Sequence, residues 1–118
     1  MFEPRPRISH FVVRTVDGGE VDYRNIWQRA QLLLILLDDS AASTRLAAIG
    51  AALAARQADL AAVEARLVVT RDVVAGTPRP GVVVADRYGE IAASLDASVE
   101  TDADDLIDWL RVVQSRCG

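Results

Sequence analysis

Three features of the sequence predict an α/β fold, a mixed sheet with helices on both faces. Leu32-Leu33-Leu34-Ile35-Leu36-Leu37 and Val82-Val83-Val84-Ala85 are wholly apolar runs, each followed by a turn or helix-start signal, as strands covered on both sides are. Between the first run and a shorter one at Leu67-Val68-Val69 lies a long stretch with helical spacing of apolar residues, and a helical crossover joins parallel strands. Asp86-Arg87-Tyr88-Gly89 then turns the chain into one more strand, a hairpin that adds an antiparallel neighbour.

Residues 1–9 carry Pro4 and Pro6 without periodicity and read as an irregular arm before a single domain over residues 10–118. Residues 11–16 read as a strand, Asp17-Gly18-Gly19 as a turn, and residues 20–23 as a short returning strand. Residues 25–29, with Ile26 and Trp27, make one helical turn, and residues 31–37 form the first buried strand. Asp38, Asp39 and Ser40 supply helix-start chemistry. From Ala41 to about Val63 the larger apolar residues are Leu46, Ile49, Leu53, Leu60 and Val63. That stripe on an alanine-rich background predicts one helix packed closely on a sheet. Residues 66–70 make the second buried strand, and residues 73–81 a loop holding Gly76, Pro78, Pro80 and Gly81. Residues 82–85 and 90–95 make the hairpin. Thr101 or Asp102 caps a last helix bearing Leu106, Ile107, Trp109, Leu110 and Val113. Asp102, Asp104 and Asp105 fall in its first turn, where carboxylates complement the helix dipole, so they read as capping charges rather than metal ligands.

The 118 residues, 51% hydrophobic and 25% charged, suit one globular domain. A chain of this length buries about two-thirds of its unfolded surface without a metal or disulfide staple. The net charge is −4, and all 13 basic residues are arginines, scattered along the chain. No basic stripe interleaved with aromatics is present, so nucleic acid is not an expected partner. The apolar run at residues 32–37 is far below the roughly 20 residues of a membrane span, so no membrane partner is expected either. Residues 1–7 lack the apolar core of a secretory signal, and the one cysteine, Cys117, leaves no internal disulfide. These features lead to the expectation of a cytoplasmic protein.

Two blocks carry a family resemblance. Ile8-Ser9-His10-Phe11-Val12-Val13, followed by Asp17-Gly18-Gly19-Glu20-Val21, forms an opening strand and Asp-Gly turn. Arg79-Pro80-Gly81, leading through residues 82–85 to Asp86, Gly89 and Ile91, forms a proline–strand–turn–strand block. With the strand at residues 31–37 leading into a helix, the order resembles the thioredoxin-like superfamily. It is closest to the peroxiredoxin and thiol–disulfide oxidoreductase (redoxin) branch. The resemblance covers nearly the whole chain and implies a three-layer sandwich. It also implies a cis peptide at Pro80 opposite the reactive site, although a glycine follows that proline and the helix usually preceding the block is reduced to a loop. It further implies a sulfur at the strand–helix junction. There this sequence has Ser40-Ala41-Ala42-Ser43, spaced like Cys-x-x-Cys but without sulfur.

A hydroxyl forms no disulfide and does not climb the sulfur oxidation ladder. Thr44 and Arg45 are of the types that assist peroxide chemistry, yet they have no thiolate to serve. Ser40 as a nucleophile would need an activating base. The only histidine, His10, lies at the entry of the first strand, so Ser40 reads as an N-cap. Asp38 and Asp39 read as a solvated pair. Cys117, between Arg116 and Gly118, would be only a few per cent thiolate at neutral pH with a thiol pKa of about 8.5, and reads as an incidental surface thiol. Trp27 and Trp109 read as core or interface aromatics. The expected function is a redox-inactive thioredoxin-like module for protein interaction or homodimerisation, with no cofactor and no metal, its protein partner unidentified. The alternative is a thiol-dependent antioxidant or oxidoreductase acting through Cys117 or a partner's thiol. Small-molecule binding in the cleft has no residues to recommend it. Redoxin-branch relatives pair beside the active-site helix or along a sheet edge, so the resemblance also implies a homodimer.

Overall fold

The two apolar runs become the inner strands of a mixed sheet. The computed structural model describes residues 5–117. A hairpin of β1 (Val12–Arg14) and β2 (Glu20–Asp22) leads through a 3-10 turn (Tyr23–Asn25) into β3 (Gln31–Leu36). Helices α1 (Ala42–Ala54) and α2 (Gln57–Ala62) cross to β4 (Ala65–Thr70). After a loop come β5 (Gly81–Ala85), β6 (Ile91–Asp96) and the terminal helix α3 (Ala103–Cys117). The main sheet has the order β4-β3-β5-β6. β3 runs parallel to β4, with Leu36 beside Thr70, and antiparallel to β5, with Leu36 beside Gly81. β6 returns antiparallel to β5.

Strand alternation divides the interior in two. Leu33, Ile35 and Leu37, with Val82 and Val84, face Leu46, Ile49, Leu53, Leu60 and Val63 of the crossover and Leu106, Ile107, Leu110 and Val113 of α3. Leu32, Leu34, Leu36, Val68, Val83 and Ala85 face Ile8, Phe11, Val13, Tyr23, Ile26 and Val74. Each fully buried aliphatic side chain contributes about 1.5–3 kcal/mol relative to exposure, so both faces stabilise the sheet. The layers are unequal: α1, α2 and α3 share one face, and the other is covered by short pieces, the arm at Ile8, the hairpin with Phe11, the turn from Tyr23 to Ile26 and the loop at Val74. β4 receives only a short cover from the hairpin, where Thr15 bridges Thr70 and the Val16 N–H donates to the Val69 carbonyl at 3.0 Å.

Two expectations change. The arm boundary at residue 9 does not hold, because Ile8 is buried and its N–H donates to the Gly89 carbonyl at 2.8 Å. The Ile91 N–H likewise donates to the Pro6 carbonyl at 2.8 Å. The single helix expected from Ala41 to Val63 is two, because Arg56 leaves helical geometry at φ −109°, ψ 49°. Between Leu53 and Leu60 no large apolar side chain holds a turn against the sheet. The Arg56 guanidinium instead bridges Asp59 and Asp104, tying the break to the start of α3.

Close approach dictates two glycines. A Cβ on Gly50 would stand 3.1 Å from a Val69 methyl, which is how α1 sits so near the sheet. A Cβ on Gly81 would meet the Leu95 carbonyl oxygen and the Pro78 ring at 2.6 Å, so the glycine following Pro80 has a packing cause. Among the described residues, no helix is long and apolar enough to cross a membrane.

Candidate functional site

β3 and α1 meet at Leu37, whose N–H still donates to the Thr70 carbonyl at 2.9 Å. Beyond it the chain leaves the sheet and Asp38 becomes the hub of the junction. The Ser40 N–H and hydroxyl donate to Asp38 Oδ1 at 2.8 and 2.5 Å, and the Ser43 hydroxyl donates to the same oxygen at 2.8 Å. Ser43 Oγ in turn accepts the Asp38 N–H at 2.8 Å. Ser43 is buried in the first turn of α1, whereas Ser40 is exposed. Ser40 is therefore not the side-chain N-cap expected. Its hydroxyl is spent on Asp38, the N-cap residue is Ala41, and no side chain caps the helix.

Hydrogen bonds from the Ser40 hydroxyl and N–H, then from the Ser43 hydroxyl, with a smaller contribution from the charge of Arg79, hold the Asp38 carboxyl below its ordinary 3.8. A carboxylate stabilised in this way is a poor base near neutrality. Asp38 therefore orients the two serines without activating either. His10 offers no substitute. Its ring packs edge-on against Tyr23 and Trp27, with centroids 5.2 and 5.5 Å away. Tyr23 and Trp27 border Gly89, which follows the end of β5 paired with the start of β3. The serines lie at the other end of β3, a strand's length away, so no Ser–His–Asp arrangement forms.

Arg71 and Arg79 complete the junction. The Arg71 guanidinium donates to the Asp38 carbonyl at 3.1 Å and stands 3.8 Å from the exposed Asp39 carboxylate. Arg79 donates to the Arg71 carbonyl at 2.9 and 3.2 Å, and the Arg79–Pro80 peptide is cis. Nothing local in the sequence marks Arg71; it is the parallel register Leu36↔Thr70 that brings the residue after β4 beside Leu37 and Asp38. Arg45, expected to be of a type that assists peroxide chemistry, turns elsewhere. It donates to the Ala97, Val99 and Thr101 carbonyls at 2.8, 2.9 and 3.4 Å and fastens the β6–α3 loop.

Asp102 and Asp105 act as the reciprocal cap of α3. The Asp105 N–H donates to Asp102 at 2.8 Å, and the Asp102 N–H to Asp105 at 3.3 Å. Among the described residues, no group of His, Cys, Asp and Glu could hold a metal ion. The backbone of Cys117 closes α3, while its side chain lies outside the described residues. A groove of about 560 Å³ runs between α1 and β4, lined by Ala47, Gly50, Ala51, Leu67, Val69 and Arg71 among others. Ser40, Ser43 and Pro80 do not line it.

This arrangement of strands and helices recurs in solved structures. The reduced 2-Cys peroxiredoxin of Plasmodium vivax superposes with a TM-score of 0.69 at 11% identity, over 96% of this chain and 82% of that one. A thioredoxin-family thiol:disulfide interchange protein of Chlorobium tepidum gives 0.68 at 10% identity, over 97% and 99%. The chain has a thioredoxin-like fold. The thioredoxin domain of a Bacteroides vulgatus thiol–disulfide oxidoreductase adds a TM-score of 0.61 at 11% identity, over 96% and 99%. No protein-family model matches the sequence, and no curated protein matches it. The likeness at these identities is one of redoxin fold.

Proposed function

We propose that this chain is a non-catalytic redoxin-fold domain that works by binding protein, either a partner chain or a second copy of itself. One observation carries the reading: where redoxin chemistry needs a thiolate, two serine hydroxyls are bonded to an ionised Asp38. Thiol–disulfide exchange requires an attacking thiolate, and peroxide reduction oxidises a sulfur that serine does not supply. A chain with one cysteine has no disulfide of its own to keep, which supports a reducing, cytoplasmic setting. Peroxide consumption and disulfide reduction, each coupled to a thiol reductant, test the reading on wild-type protein and on Cys117→Ser. Neither protein should turn over. Turnover by the wild type that Cys117→Ser abolishes would overturn the reading in favour of a thiol enzyme acting through its C-terminal cysteine.

A further inference from the structure

The outer flank of α3 carries a pattern that the core does not use. Leu106, Ile107, Leu110 and Val113 fill the core, but Trp109 and Val112 remain 39% and 49% exposed. With Asp105 and Arg116, also exposed, they are spaced four, three and four residues apart. That is the narrow seam by which one helix packs along another. Its middle is apolar and its ends carry opposite charges. Among the described residues, neither Asp105 nor Arg116 has an ion-pair partner. Beside Trp109 lies a groove of about 340 Å³, with Leu95 and Val99 next to the carboxylate-bearing Glu100, Asp105 and Asp108. An apolar lining with carboxylates around it suits the stem and head of an arginine.

We propose that this seam pairs with the same seam of a second copy, the two α3 helices running antiparallel about a twofold axis between residues 110 and 111. In that arrangement Trp109 of each copy packs on Val112 of the other. Arg116 of each reaches the acidic groove beside the other's Trp109, opposite Asp105. Parallel pairing would set Asp105 against Asp105 and Arg116 against Arg116, so the charges select the antiparallel sense. Two Cys117 backbones in this dimer lie about 20 Å apart along the helix axis at 1.5 Å per residue. The pairing is therefore non-covalent and indifferent to reductant. The contact is a single helix flank, well short of the surface a permanent dimer buries, so monomer and dimer exchange with concentration. The inference rests on the binding reading proposed above and gives it a surface and an occupant.

Sedimentation from low to several hundred micromolar in reductant tests the pairing, with circular dichroism confirming that each variant is folded. The wild type should approach twice its monomer mass of 12.8 kDa. Trp109→Ala and Arg116→Asp should each weaken the dimer by about tenfold or more, from lost packing and two reversed charge pairs. Asp105→Arg also removes half of the α3 cap, so its diagnostic use is in combination. Asp105→Arg with Arg116→Asp should restore association to nearly the wild-type level. A monomer throughout overturns the pairing, as does a dimer unmoved by Trp109→Ala and Arg116→Asp. Failure here, with no turnover in the thiol assays, leaves the binding reading standing with a different partner. Turnover dependent on Cys117 overturns that reading itself.

Discussion

At Ser43 one hydroxyl closes both ends of the β3–α1 junction, accepting the Asp38 N–H and donating to the Asp38 carboxylate at 2.8 Å each. Ser43→Ala strips a part-buried N–H of its acceptor, so it should cost about 1–3 kcal/mol in urea or thermal unfolding. Ser40 bonds the same carboxylate from an exposed position, and Ser40→Ala should stay within about 0.5 kcal/mol of wild type. Equal effects of the two substitutions would show that the buried serine is not the one holding the junction. Tyr23 gives the opposite case. It is fully buried, yet among the described residues its hydroxyl finds no hydrogen-bond partner. Burial, and then the nearby Asp86 charge, push its pKa from 10.0 up to about 12. Above pH 10 the unfolded chain releases this proton while the folded chain keeps it. Tyr23 therefore contributes stability that is intact below pH 10 and lost as pH rises through about 12. Tyr23→Phe should flatten that alkaline loss in unfolding measured at intervals from pH 9 to about 12. An unchanged slope would place the titration on another group.

At the scale of elements, what the sequence made legible follows from how each element is encoded. β3 and β5 are apolar at every position from Leu32 to Leu36 and from Val82 to Ala85. A strand covered on both faces carries such a run, and the turn and helix-start residues that close each one keep it to strand length. The α1–α2 break was not legible because the stripe from Leu46 to Val63 keeps helical spacing across it. The break lies in Arg56, whose partner Asp104 is 48 residues away and cannot be read locally. Ser40 misleads for a related reason. A serine before a helix usually caps it, but here Asp38, two residues earlier, offers a charged acceptor and captures the hydroxyl. The junction's composition was therefore visible in the sequence, while its wiring depended on a register that only the fold supplies. The same holds for Arg71, brought to Asp38 by the parallel pairing of β3 and β4.

The whole molecule is one sheet held between coverings of different strength, and this sets an order of opening. On one face α1, α2 and α3 bury nine large side chains beneath them, from Leu46 to Val113. On the other, the cover is made of short pieces: the arm at Ile8, a hairpin of three-residue strands, the 3-10 turn and the loop at Val74. The hairpin joins the main sheet through the Thr15–Thr70 bridge, with the Thr70 hydroxyl donating to the Arg14 carbonyl at 2.6 Å. Short strands with exposed backbone open at less than the global cost, whereas strands bonded on both edges open only with the whole fold. β3 and β5 are bonded on both edges. Native-state hydrogen exchange should accordingly show the amides of Leu33 to Ile35 and Val82 to Val84 exchanging only by global unfolding. The β1–β2 amides should exchange earlier, by local opening, and with little dependence on denaturant. Hairpin amides as protected as those of β3, and equally sensitive to denaturant, would mean that both faces unfold as a single unit. In that case Tyr23 and Phe11, stacked at 5.2 Å beneath the hairpin, would fasten the thin layer as firmly as the helices fasten the thick one.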